Sequence, residues 1–134
     1  MIPIDRNIRQ SLTYLIRNKS PFRWGDVLGF SKEEFFEHIK KEFSEGMSFD
    51  NYGEWVVSFH IPRRCYTFNS IRDIDFKNFW SLKNITPKWK DEAQHQKKEI
   101  DIDEVNKYGL WDILPIGNIS QYLVRAKNKI DNKK

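Results

Sequence analysis

The hydrophobic period changes once between Ser31 and Pro62, and that change limits the folds open to the chain. In residues 30–44, Phe35, Phe36, Ile39 and Phe43 recur at helical spacing, with Glu33, Glu37, Lys40 and Lys41 elsewhere around the helix. Ser31 stands as an N-cap with Glu34 three residues on, and Phe30 and Phe35 take the two staple positions, so a core-packing helix starts here. Gly46 and the run Asp50-Asn51-Tyr52-Gly53 break the pattern. Residues 54–61 (Glu-Trp-Val-Val-Ser-Phe-His-Ile) are β-branched and aromatic, and Pro62 closes them as a strand. Alternation puts Trp55, Val57, Phe59 and Ile61 on one face and Val56, Ser58 and His60 on the other. A helix feeding a strand in this way predicts an α+β fold.

The flanking segments extend the pattern. Ile8, Leu12 and Leu15/Ile16 predict an amphipathic helix over 5–18, whose other faces hold Arg6, Arg9 and Arg17. A short helix over 71–80, a second strand around 82–87 and a helix from Trp89 to about Glu99 come next. Strand, excursion, strand and helix make a ββα unit. Beyond Glu99, Asp101, Asp103 and Glu104 precede an apolar run, Tyr108–Pro115, and a predicted helix over Ile119–Ala126. The expected organisation is one domain, 1–99, with N-terminal helices and the ββα unit. A helical C-terminal extension, 100–134, either packs back on it or meets a partner.

Composition narrows the function classes. Twenty Phe, Tyr and Trp residues among 134 supply enough large apolar surface for an ordered core, and one domain is all that this length supports. Phe22, Trp24, Phe49, Tyr52, Trp55, Trp80 and Trp89 are therefore read as core before they are read as base-stacking groups. No apolar run is long enough to cross a bilayer, and Met1–Arg6 lacks the apolar stretch of a signal peptide, so no membrane partner is expected. The lone Cys65 forms no internal disulfide, and a cytoplasmic location is expected. Net charge is +4, unevenly spread. Residues 1–24 hold Arg6, Arg9, Arg17, Lys19 and Arg23 against Asp5 alone, whereas residues 32–50 hold three lysines against six acids. The basic arm is either a solvated face or a phosphate-contacting one. His38, among the polar positions of its helix, is read as a surface histidine.

Three stretches carry a resemblance: Leu28-Gly29-Phe30-Ser31-Lys32-Glu33-Glu34-Phe35, then Gly46-Met47-Ser48-Phe49-Asp50-Asn51-Tyr52-Gly53-Glu54-Trp55, then Asn84-Ile85-Thr86-Pro87-Lys88-Trp89. Over residues 5–99 the chain resembles phage-type HNH endonucleases, most specifically at Gly46–Trp55. The resemblance implies a ββα-metal nuclease in which a divalent ion offsets charge at the scissile phosphate and a histidine activates water. Aligned without gaps, Val56 falls on the motif's first His, Ser58 on the metal-binding Asp, Phe59 on the general-base His, Asn84 on the central Asn and Ala93 on the metal-binding Asn. Phenylalanine accepts no proton, a neutral hydroxyl is a poor ligand for a hard cation, and alanine binds nothing. The resemblance thus implies a nuclease frame without catalysis and without metal at the old site.

A literal His60, Asn84 and His95 set survives, but His60 lies one residue past the base position and His95 two past the ligand position, which turns each to another face. Mg, Mn or Zn enters only if those residues still act as a nuclease. Asn84 either ties the two strands as in the family or is an ordinary strand-edge residue. Arg63 and Arg64 are either a surface turn or a phosphate clamp, with Lys88, Lys90, Lys97 and Lys98 in the same unit. The leading expectation is a phage-encoded, cleavage-inactive protein that binds DNA non-specifically through Arg6, Arg9, Arg17, Lys19, Arg23, Arg63, Arg64 and the four lysines. The alternatives are a factor acting on a host protein through 100–134, and an active nuclease using His60.

Overall fold

A computed structural model of the chain describes residues 4–17 and 24–116. Helix and strand are mixed in an α+β fold: α1 (Ile4–Ile16), α2 (Gly25–Leu28), α3 (Lys32–Glu42), β1 (Trp55–Phe59), α4 (Ile74–Phe79), β2 (Ile85–Trp89), α5 (Lys90–Gln94) and α6 (Ile102–Tyr108). The strands form one antiparallel pair, with Trp55 opposite Trp89, Val57 opposite Pro87 and Phe59 opposite Ile85. Among the described residues no helix is long and apolar enough to cross a membrane. Lys19, Arg23, Phe22 and the helix expected over Ile119–Ala126 lie outside the described residues.

Helix α3 forms as its sequence requires. Ser31 Oγ accepts from the Glu34 amide at 3.0 Å, the Glu34 carboxylate accepts from the Ser31 amide at 3.1 Å, and the Phe30 and Phe35 rings stack across the cap. Ser31→Ala removes one acceptor from the orphan amides and is expected to cost about 1 kcal/mol; a loss of unfolding free energy in urea smaller than about 0.3 kcal/mol would show the cap to be idle. His38 departs from its expected place. It is half-buried, and its Nε2–H donates to the Ile85 carbonyl at 2.6 Å, tying α3 to the start of β2. One helix position between two faces is enough for a long ring to reach a neighbouring strand.

The Gly46–Trp55 stretch folds as a loop that satisfies itself. Asn51 Oδ1 accepts from the Ser48 amide at 2.8 Å and from the Trp55 indole N–H at 3.0 Å, while its amide donates to the Gly46 carbonyl at 2.9 Å. Gly53, at φ 116°, supplies a turn that side chains rarely adopt. Trp55 is fully buried here, edge-on to Phe43 and Tyr52. A second ring cluster centres on Phe79, against Phe59, Tyr66, Phe68 and Trp80. Trp80 is buried, and Trp24, Phe49, Tyr52 and Trp89 are partly buried against the same core.

Several boundaries differ from those the sequence predicts, α4 among them, which begins at Ile74 and not near residue 71. Leu82–Asn84 is a 3-10 turn, and the second strand runs instead over Ile85–Trp89. The first strand stops at Phe59, although Ile61 stays buried. Helix α5 ends at Gln94 rather than near Glu99: a segment polar on nearly all sides has no apolar stripe to hold a third turn on the sheet.

Residues 100–115 pack into the core. Ile100, Ile102, Val105, Leu110 and Ile113 are buried with it, and α6 ends on Gly109 in the left-handed conformation, φ 64°. Three side chains secure the backbone from Ile113 to Ile116: the Tyr66 hydroxyl donates to the Ile113 carbonyl at 2.7 Å, the Asn78 amide donates to the Leu114 carbonyl at 3.4 Å, and the Asp75 carboxylate accepts from the Ile116 amide at 2.8 Å. Burial pushes the Tyr66 phenol well above its usual range, so it remains a donor.

Candidate functional site

Strand β1, a long excursion, β2 and α5 succeed one another in the ββα order, and α5 packs against both strands. The face it covers carries Ser58 and Thr86, paired across the sheet, and Val56 opposite Lys88. The opposite face, with Trp55 and Phe59, belongs to the core.

Asn84 is the pivot of this unit. Its side chain is fully buried; Oδ1 accepts from the Ile61 amide at 2.8 Å, and Nδ2 donates to the carbonyls of Ile61 at 3.2 Å and Phe79 at 2.9 Å. Its own carbonyl accepts from the His60 amide at 2.9 Å. One amide thereby joins the end of β1, the end of α4 and the start of β2. This geometry is the strand tie and not the strand edge.

The other motif positions carry no ligating set. Ser58 Oγ donates to Gln96 Oε1 at 3.1 Å, and Gln96 Nε2 donates to the carbonyl of Phe59 at 2.6 Å and of His60 at 3.4 Å. A glutamine just past α5 thus links the serine to the backbone at the end of β1. The Phe59 ring points into the core, 4.3 Å from the Phe79 centroid and 5.3 Å from that of Trp80, with the Arg9 guanidinium 4.8 Å above it. Ala93 lies half-buried on α5. The two histidines are in different surroundings. His95 is exposed, its Nδ1–H donating to the Asp91 carbonyl at 2.7 Å. His60 is 4% exposed, stacked on the Tyr108 ring at 4.0 Å, with Nδ1 3.6 Å from Glu104 Oε1. Among the described residues no group of three or more His, Cys, Asp or Glu is placed to hold a metal ion.

The expected phosphate contacts divide in the same way. Arg6, Arg64, Lys90, Lys97 and Lys98 are exposed. Arg17 is exposed and lies over the Tyr52 ring at 5.5 Å. Arg63 is engaged within the fold: its Nη1 donates to the Tyr66 carbonyl at 2.8 Å and its guanidinium covers the Phe68 ring at 3.8 Å. Lys88 is half-buried, its Nζ donating to the Phe59 carbonyl at 3.4 Å; burial pushes its ammonium below the usual lysine range against the opposing pull of Glu104, Glu92 and Asp101.

Beside these residues lies a cavity of about 180 Å³ that the sequence does not announce. His60, Lys88 and Gln96 face Glu99, Asp101 and Glu104 there. The carboxylates come from the return of the chain through α6, a non-local contact that no spacing encodes. No protein-family model matches the chain, and no curated protein or solved structure does either.

Proposed function

We propose that the protein is a non-cleaving descendant of HNH endonucleases that binds DNA through backbone phosphates. The observation that supports this reading is a ββα unit clamped by Asn84 in which Ser58 is hydrogen-bonded by Gln96 and the Phe59 ring is turned into the core, so that neither aligned position presents a ligand or a base beside α5. What is left to such a frame is its surface. Lys90 on α5 and Lys97 and Lys98 just beyond it are exposed, as are Arg6, Arg17 and Arg64. Cations of this kind neutralise phosphates without reading sequence.

Fluorescence anisotropy with a mixed-sequence duplex tests the reading. Each phosphate neutralised contributes a slope of about −0.9 in the dependence of log affinity on log salt, so contacts by the three lysines give about −2.7. The joint variant Lys90→Glu, Lys97→Glu and Lys98→Glu is expected to weaken binding at least tenfold at low salt, and the duplex is expected to stay intact with Mg, Mn or Zn. Affinity unchanged by salt would remove the proposal.

A second reading has one observation in its favour. Trp111 and Ile116 are 44% and 49% exposed on the segment after α6, as apolar surface suited to a protein partner.

A further inference from the structure

His60 is the one described residue whose buried side-chain nitrogens find no hydrogen-bond partner, and both of its ring nitrogens are in that state. Native interiors seldom leave such groups unmatched, and beside a cavity water or an ion accounts for them; Nδ1 is the nitrogen that a carboxylate approaches. The ring is held in place by the Tyr108 stack and lines the cavity that also receives Glu99, Asp101 and Glu104. Its Nδ1 stands 3.6 Å from Glu104 Oε1. That gap is too long for a hydrogen bond and close to the edge of a tetrahedron around a cation with bonds of about 2.0–2.1 Å, roughly 3.4 Å. Three carboxylates against Lys88 and Lys97 leave the lining net negative when His60 is neutral.

We infer that this cavity binds a divalent transition cation of the zinc class, with His60 Nδ1 and Glu104 as its two protein donors and water completing the shell. An imidazole donor selects zinc or cobalt over magnesium, which takes oxygen. None of the motif positions Ser58, Asn84 and Ala93 lines this cavity. Its carboxylate comes from the C-terminal extension, so the ion would pin α6 to the end of β1. Two donors make it weaker than a closed four-donor zinc site.

The test is thermal unfolding of the full chain with zinc chloride alone. At tenfold the dissociation constant the melting temperature is expected to rise by about 5 °C. Glu104→Gln, at a partly exposed position, abolishes the rise, His95→Ala retains it, and magnesium produces none. No rise with zinc, a rise that survives Glu104→Gln, one that vanishes with His95→Ala, or an equal effect of magnesium each overturns the assignment. Should Glu104→Gln fold poorly, side-chain nitrogen spectra of the unaltered protein decide: zinc must move the His60 resonances and leave those of His38 and His95 in place.

Discussion

Asn84→Ala is expected to destabilise the protein by about 3–5 kcal/mol, lowering the melting temperature by roughly 11–18 °C. The substitution removes three hydrogen bonds at a fully buried position and leaves the Ile61 amide and the carbonyls of Ile61 and Phe79 without partners. Each orphaned group carries its own desolvation penalty, which is why the loss exceeds that of a methyl-sized cavity. Asn84→Asp separates the two halves of the clamp. It keeps an acceptor for the Ile61 amide but sets an oxygen against two carbonyls, so it should be no better than alanine. Urea unfolding measures both. A loss under about 1 kcal/mol for Asn84→Ala would mean that the excursion between the strands is held by other contacts.

Placing the HNH motif's residues at the positions the resemblance assigns to them is expected to damage the fold without conferring cleavage. Phe59→His places an imidazole between the Phe79 and Trp80 rings and beneath the Arg9 guanidinium, at a cost of about 2–4 kcal/mol. The deficit should deepen as pH falls through the imidazole range. An imidazolium is disfavoured in that buried, cationic setting, so the unfolded chain binds more protons and stability rises with pH. Adding Ser58→Asp and Ala93→Asn to the same chain should give no plasmid nicking with Mg, Mn or Zn, because residue 59 faces the core and not the α5 side of the sheet. Nicking by the triple variant would show that the catalytic positions had been assigned to the wrong face.

The parts of the fold legible in the sequence are those written in local chemistry. The Ser31–Glu34 cap, the alternation of Trp55, Val57 and Phe59 and the apolar stripe of α1 each depend on residues within a few positions of one another, and the elements they predict are present. The early end of α5 is less legible, since polar composition allows a helix without requiring one. Long-range partners leave no trace at all. His38 meets Ile85 and Ser58 meets Gln96 across 47 and 38 positions, and Glu104 reaches His60 only because α6 folds back. For the same reason Arg63, which by sequence is available for phosphate, is engaged by rings that lie five and sixteen residues downstream.

The edge of β2 bears on how the molecule behaves at high concentration. Among the described residues the two strands pair only with each other, and the outer rim of such a pair can template growth by a strand from another copy. On the β2 side that rim is defended. The Ile85 carbonyl is already taken by the His38 ring, and two residues along, Pro87 has no amide hydrogen to offer an incoming chain. Self-association through this rim is therefore blocked by an imidazole and a pyrrolidine rather than by charge, and it should be as well suppressed in strong salt as in weak.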